Sequence, residues 1–179
     1  GNVRFVSYIN VFNNIAVDLK RNDFVRVASG ERQRVLQAGD ILFTGSSETV
    51  GEVGMSSVVT QEVTEPIHLN SFSIGYRLYD SDLLDPEFAK HLFRSNRMRD
   101  QIIQTASGVT RFNVSKARLA KVEIPVPPRA EQSRISDILD KLDALVNDIS
   151  IGLPAELAAR RRQYEYYRDR LLTFQELAA

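Results

Sequence analysis

Ile124-Pro125-Val126-Pro127-Pro128-Arg129-Ala130-Glu131-Gln132 is the stretch on which the reading of the fold turns. Proline fixes φ, removes a backbone donor and pushes the preceding residue out of the helical region, so Pro125, Pro127 and Pro128 impose an extended stop. The periodicity changes across it. Downstream, Ile135, Ile138, Leu142, Leu145 and Ile149 advance by 3, 4, 3, 4, the spacing of a coiled-coil seam. Gly152-Leu153-Pro154 interrupts that register, and Leu157, Arg160, Tyr164, Tyr167, Leu171 and Phe174 resume it. The chain is therefore expected to divide into a globular part, 1–128, and a helical part, 129–179, with helical segments over 129–150 and 154–175.

The two segments differ in charge. The first is acidic (Glu131, Asp137, Asp140, Asp143 and Asp148 against Arg129, Arg134 and Lys141), and the second is basic (Arg160, Arg161, Arg162, Arg168 and Arg170 against Glu156, Glu165 and Asp169). Opposite-sign flanks select antiparallel or heterotypic pairing, so the stripes meet either each other or a partner's helix. Tyr and Arg within the second seam suit a protein–protein contact.

Upstream of the prolines the pattern is of short strands and turns. Arg4–Ile9, Phe24–Val27, Ile41–Thr44 and Ile74–Tyr79 are rich in β-branched and aromatic residues, and Gly30, Gly39-Asp40 and Gly45-Ser46-Ser47 supply turn chemistry. Asp85-Pro86 predicts a helix start, with Asp as N-cap and Pro at the first helical position. On that helix Lys90, Arg94 and Arg97 follow i, i+4, i+7 spacing and predict one basic stripe, with Ser107-Gly108 as its end. Residues 110–116 then form a polar, basic loop leading into a short helical turn. The expected fold class is α+β (α/β): a small irregular β-sheet with helices, followed by a long coiled-coil-type helical extension.

Composition narrows the function. At 179 residues, 43% apolar and 26% charged, the chain suffices for one core plus an extension. It has no cysteine, which removes disulfides, thiolate metal sites and a cysteine nucleophile and makes a cytoplasmic setting the default. The longest uncharged stretch, Phe5 to Val17, is broken by Ser7, Asn10, Asn13 and Asn14 and falls short of the roughly 20 apolar residues of a membrane span, so no membrane role is expected. Net charge is zero, but unevenly spread. Residues 40–87 hold nine acidic residues against Arg77, and residues 90–121 hold eight basic residues against Asp100. Such polarity suits a protein with one face toward phosphate, and equally a solvated surface.

No reaction chemistry is evident. A glycine-rich cofactor turn, an Asn/Asp-Pro-Pro-aromatic loop and a Gly-Lys-Ser/Thr phosphate loop are missing. The carboxylates of residues 40–87 have no companion lysine with which to hold a metal against phosphate. His68 and His91 stand alone, without the spacing of a metal site or triad, and read as structural or solvated. Thr44-Gly45-Ser46-Ser47-Glu48 lacks the Gly-x-Ser-x-Gly frame of a nucleophile elbow and reads as a turn or as a polar loop able to reach DNA edges. No catalytic residue, metal or cofactor is expected.

Three strings carry a resemblance: Gly39-Asp40-Ile41-Leu42-Phe43-Thr44-Gly45-Ser46-Ser47-Glu48-Thr49; Gly108-Val109-Thr110-Arg111-Phe112-Asn113-Val114-Ser115; and Ile124-Pro125-Val126-Pro127-Pro128 followed by Glu131-Gln132. Together they resemble the target-recognition domain of type I restriction-modification specificity subunits. Gly152-Leu153-Pro154-Ala155-Glu156 with Gln163-Tyr164-Glu165-Tyr166-Tyr167-Arg168-Asp169 resembles that family's helical spacer. The resemblance implies a non-catalytic subunit that reads half of a bipartite site in double-stranded DNA. Its helices would act as a ruler and dock methyltransferase subunits and, through them, restriction subunits.

In that reading Lys90, Arg94 and Arg97 meet phosphates, and Ser46, Ser47, Thr49, Thr110, Arg111, Asn113, Ser115 and Lys116 are candidates for DNA contact. Gly108-Val109-Thr110 could equally pack the loop against the sheet. Ile135, Ile138, Leu142, Leu145, Ile149, Leu157, Tyr164, Tyr167, Leu171 and Phe174 are candidates for a partner or dimer contact. Family members usually carry two recognition domains and two spacers. This sequence has one of each and is expected to be a half subunit pairing with a second copy, or part of a longer chain. The family's recognition domain also begins with a strand-and-helix segment ahead of the stretch matching Phe5–Ile9. A pure coiled-coil assembly module is the alternative.

Overall fold

The computed structural model describes residues 1–28, 30–31, 33–148 and 154–173. In order these form β1 (Val3–Val6), α1 (Tyr8–Asn13), β2 (Phe24–Val25), β3 (Ile41–Thr44), β4 (Ser46–Ser47), a 3-10 turn (Val50–Glu52), β5 (Ser56–Val58), β6 (Ile67–Leu69), β7 (Ser73–Tyr76), α2 (Pro86–Leu92), α3 (Asn96–Gln104), β8 (Ala106–Ser107), β9 (Phe112–Val114), α4 (Lys116–Leu119), α5 (Arg129–Asp148) and α6 (Pro154–Leu171). The class is α+β. Instead of one irregular sheet there are three three-stranded ones among the described residues, ordered β2-β1-β6, β5-β3-β7 and β4-β9-β8.

β3 is the centre. All four of its residues are buried, and it pairs antiparallel with both β5 and β7. Because successive strand residues point to opposite faces, β3 feeds two cores. Ile41 and Phe43 join Phe88, Leu92, Met98 and Ile102, while Leu42 joins Val6, Val11, Leu36, Val59 and Ile67. Helix α5 extends the first core with Ile135 and Leu139, and Leu172, just past α6, completes it. The helices after the prolines thus share a core with the sheets.

Several local expectations are met. Asp85 caps α2, accepting from the Glu87 amide at 2.9 Å with Pro86 at the first helical position, and helix α5 starts immediately after Pro128. Others are corrected. The strand expected over Arg4–Ile9 stops at Val6 and turns into α1, where Asn10 fixes the helix end by accepting from the Asp18 amide and donating to the Asp18 carbonyl. The single helix expected from Pro86 toward Ser107 is two. Phe93 closes α2, and Ser95 opens α3 by accepting from the Met98 amide. That helix ends at Gln104, so Ser107 lies in a strand.

The prolines and Gln132 form a junction. Buried Gln132 accepts from the Asp85 amide at 2.7 Å and donates to the carbonyls of Leu83 and Pro127 at 3.1 and 2.8 Å. One side chain thereby ties the start of α5 to the start of α2. Helices α5 and α6 pack along each other. The 20 residues of α5 make it about 30 Å long, further than the join at 149–153 can reach, so the two helices run antiparallel.

Candidate nucleic-acid interface

The ribbon β4-β9-β8 assembles the candidates that the sequence singles out. Ser46 pairs with Asn113 and Ser47 with Phe112 across β4 and β9, while Ser107 pairs with Asn113 across β8 and β9. Alternation sends Phe112 against the core and buries Val114, leaving Asn113 outward between them. Arg111 is exposed and donates from Nε to Ser46 Oγ at 3.2 Å. Asn113 Nδ2 donates to the Arg111 carbonyl at 3.2 Å. The hairpin turns at Gly108, whose φ of +144° suits glycine and where a Cβ would sit 1.9 Å from the Arg111 carbonyl oxygen. Val109 at the tip is 91% exposed and Thr110 is exposed, so the 108–110 turn projects into solvent instead of packing on the sheet.

Beside the ribbon lies an open cleft of about 660 Å³, lined by Tyr8, Ile9, Phe12 and Asn13 of α1, by Ser46, Ser47, Glu48, Thr49 and Glu52, and by Phe72 and Arg111. Tyr8 Oη donates to the Ser46 carbonyl at 3.0 Å and its ring stacks on Phe12, fixing α1 as the far wall. Thr49 is exposed, its amide held by Ser47 Oγ at 3.1 Å. Tyr8, Ile9 and Phe72 are not legible in the sequence as site residues, because they come from a turn and a helix distant from the ribbon strings.

Ser115 acts as a cap, accepting from the Arg118 amide at the start of α4. That places Lys116 and Arg118 exposed on the helix next to the ribbon.

The basic stripe is not assembled. Lys90 lies in ion pairs with Glu87 and, at 2.8 Å, with Asp140 of α5. Arg94 points inward, where Nε and Nη2 donate to the carbonyls of Ser56, Val11, Phe12 and Asn14 at 2.6–3.2 Å. Burial, with Arg99 and Arg168 nearby, lowers its pKa to about 10, and it stays charged at neutral pH. Its work is to satisfy the end of α1. Arg97, beyond the helix break, is exposed on α3. Arg99, which no sequence pattern marks, is buried and donates to the carbonyls of Gly51, Val53 and Gly54. Much of the basic run is therefore internal scaffolding, and the positive charge exposed on the ribbon and along and just after α4 comes from Arg111, Lys116, Arg118 and Lys121.

The helical seams also rearrange. On α5, Gln132, Ile135, Leu139 and Leu142 turn inward, whereas Ile138 is half-buried and Leu145 is 55% exposed. On α6, Tyr164 and Leu171 pack on the core, Arg160 is half-buried, and Tyr167 is 42% exposed. Ile149, Phe174 and the side chain of Leu157 lie outside the described residues. Tyr164 belongs to a polar knot between the globular part and the helices. Buried His91 contacts Asp140 Oδ1 through Nε2 at 2.7 Å, and the Tyr164 hydroxyl meets Nδ1 at 3.3 Å. Burial pushes the imidazole below its ordinary pKa, against the opposing pull of Asp140. A neutral ring with hydrogen on Nε2 satisfies both contacts. Burial also raises the Tyr164 phenol to about 12.

Among the described residues, no group of three or more His, Cys, Asp or Glu side chains could hold a metal, and no helix is long and apolar enough to cross a membrane.

A three-sheet body bearing an exposed polar ribbon, with two helices locked against its core, is matched among known proteins. Residues 9–159 fit the family described as Type I restriction modification DNA specificity domain, and the chain belongs to that family. Over 62 residues it is 50% identical to the EcoR124I/EcoR124II specificity subunit of Escherichia coli, a match covering 35% of this chain and 15% of that protein. Over 136 residues it is 32% identical to a putative type I restriction enzyme specificity subunit of Haemophilus influenzae, covering 76% of this chain and 32% of that one. The chain thus spans no more than about a third of these relatives. In fold it is similar to the HsdS subunit from Thermoanaerobacter tengcongensis, with a TM-score of 0.57 at 21% identity, covering 92% of this chain and 39% of the other.

Proposed function

We propose that this chain is a sequence-specific DNA-recognition unit of a type I restriction-modification specificity subunit, reading one half of a bipartite duplex target. The observation that carries the reading is the ribbon. The Ser46 hydroxyl, the Asn113 amide and the Arg111 guanidinium, from segments some 65 residues apart, stand together on one face of it, with Lys116 and Arg118 exposed on the adjoining helix. Such groups read base edges, and flanking cations neutralise phosphate. Residues 1–128 form the recognition domain in this reading and 129–179 the spacer. The outward residues of α5 and α6, Leu145, Tyr166 and Tyr167, are offered to a methyltransferase subunit or a second half subunit. Restriction subunits join through the methyltransferase. The chain itself performs no catalysis, needs no cofactor and works in the cytoplasm.

The test is selection from a pool of random duplexes by the chain together with its methyltransferase partner, followed by sequencing. Enrichment of a short motif, doubled at fixed spacing, is the expected result. A folded complex that enriches nothing would leave the chain an assembly scaffold.

A further inference from the structure

Phe72 is 66% exposed and Ile9 is 53% exposed on the edge of the ribbon cleft, and neither belongs to a core. Phe72 is nevertheless rigidly presented. Its amide donates to Asn70 Oδ1 at 2.9 Å, and Asn70 Nδ2 donates to the Val6 carbonyl and to Ser73 Oγ. The Phe72 carbonyl accepts from the Gly45 amide at 2.8 Å, and a Cβ at Gly45 would lie 2.7 Å from that oxygen. The glycine that precedes Ser46 therefore clamps the Phe72 turn to the ribbon. With Tyr8 and Ile9, Phe72 also borders a second concavity on its other side, so it stands as a ridge, at a fixed offset from Arg111.

The remaining groups of the cleft say which part of a duplex it faces. Glu48 and Glu52 are exposed there and form no ion pair among the described residues. Carboxylates repel phosphates and find only acceptors at A·T pairs in the minor groove. In the major groove the N4 amino group of cytosine and the N6 amino group of adenine donate, while guanine O6 and N7 accept from arginine. A surface mixing carboxylate, hydroxyl and guanidinium thus fits the major groove. The apolar feature displayed there is the C5-methyl group of thymine.

We propose that Phe72, assisted by Ile9, reads the C5-methyl group of a thymine in the major groove of the target half-site. This rests on the DNA-recognition reading above and adds to it a specificity-determining residue and the chemical group it selects.

The experiment uses the chain assembled with its methyltransferase partner and the duplex enriched by selection. Each thymine of the half-site is replaced in turn by deoxyuridine, which differs only in lacking the methyl. Affinity is measured by fluorescence anisotropy for the wild type and for Phe72→Ala. One position is expected to weaken wild-type binding about fourfold, the effect of exposing one buried methyl, and to have no effect on Phe72→Ala. Because the side chain is exposed, the variant should keep the wild-type melting temperature. Tolerance of deoxyuridine at every position, or the same loss in Phe72→Ala, overturns the proposal. An Arg111→Ala, Lys116→Ala variant run alongside separates the two readings. If it binds weakly while deoxyuridine is tolerated, only the methyl contact fails. If no duplex is ever enriched, both fail.

Discussion

The ribbon face and the helix junction each draw on the strings that make this sequence recognisable, the junction through Gln132 and Tyr164, yet they treat polar groups oppositely. At the junction, Gln132 is held by three backbone groups, and His91, Asp140, Lys90 and Tyr164 satisfy one another. At the ribbon, Thr110, Arg111, Asn113 and Thr49 are exposed. Buried polar groups are costly unless paired, so the junction fixes geometry. An exposed set held by backbone pairing remains open to a ligand. Motif residues thus divide into those that set the frame and those that the frame presents.

Substitutions in the frame should cost much stability, and those on the faces it presents should cost little. Arg99→Met leaves the carbonyls of Gly51, Val53 and Gly54 without their donor and should cost roughly 3–5 kcal/mol in urea unfolding. A cost below about 1 kcal/mol would mean those groups find other partners. Leu139→Ala, fully buried, should cost about 2–5 kcal/mol. Leu145→Ala, on the seam that periodicity favours, should stay within about 0.5 kcal/mol. Equal effects would erase the distinction between inner and outer faces of α5.

The pH dependence sharpens the same contrast. His91 has a folded pKa below its ordinary 6.5, so the unfolded chain binds a proton first as pH falls. Its contribution to stability is complete above 6.5 and declines as pH drops below it toward the folded value. Lys90, Asp140, Asp143 and Tyr164 face the ring. Lys90 and Tyr164 are pushed up and Asp140 down, so these three titrate outside that window. His91→Gln should flatten the slope of unfolding free energy as the pH falls below 6.5, and an unchanged slope would assign it to other groups.

Much of this frame is visible in the sequence. The cap at Asp85-Pro86, the stop at Pro125–Pro128 and the helices beyond it follow from local chemistry. The ribbon candidates stand out in their strings, though only the pairing of β4 with β9 brings Ser46 to Arg111. What is not legible depends on tertiary packing. Ile135, Ile138, Leu142 and Leu145 follow a 3–4 spacing, but so do Gln132, Ile135, Leu139 and Leu142. Periodicity alone cannot choose between stripes that differ by one residue, and packing selects the one carrying Gln132. Likewise Lys90, Arg94 and Arg97 would share a face only on an unbroken helix. Ser95 breaks it, and carbonyls brought from α1 and β5 turn Arg94 inward. Phe72 gives no sequence signal, since its exposure is decided by the Asn70 turn and by Gly45.

Whether the β4-β9-β8 ribbon and the start of α4 meet DNA is tested most directly by comparing Arg111→Ala, Lys116→Ala with Arg161→Ala, Arg162→Ala, a control pair exposed on α6. Each variant is assembled with the methyltransferase partner and titrated on the selected half-site over a salt series. The ribbon pair should bind at least about tenfold more weakly, with a shallower salt dependence, by up to about 0.9 in the logarithmic slope for each phosphate no longer neutralised, while unfolding as the wild type does. Unchanged affinity and slope for the ribbon pair, with the weakening in the α6 pair instead, would contradict the account and move the DNA to the helices.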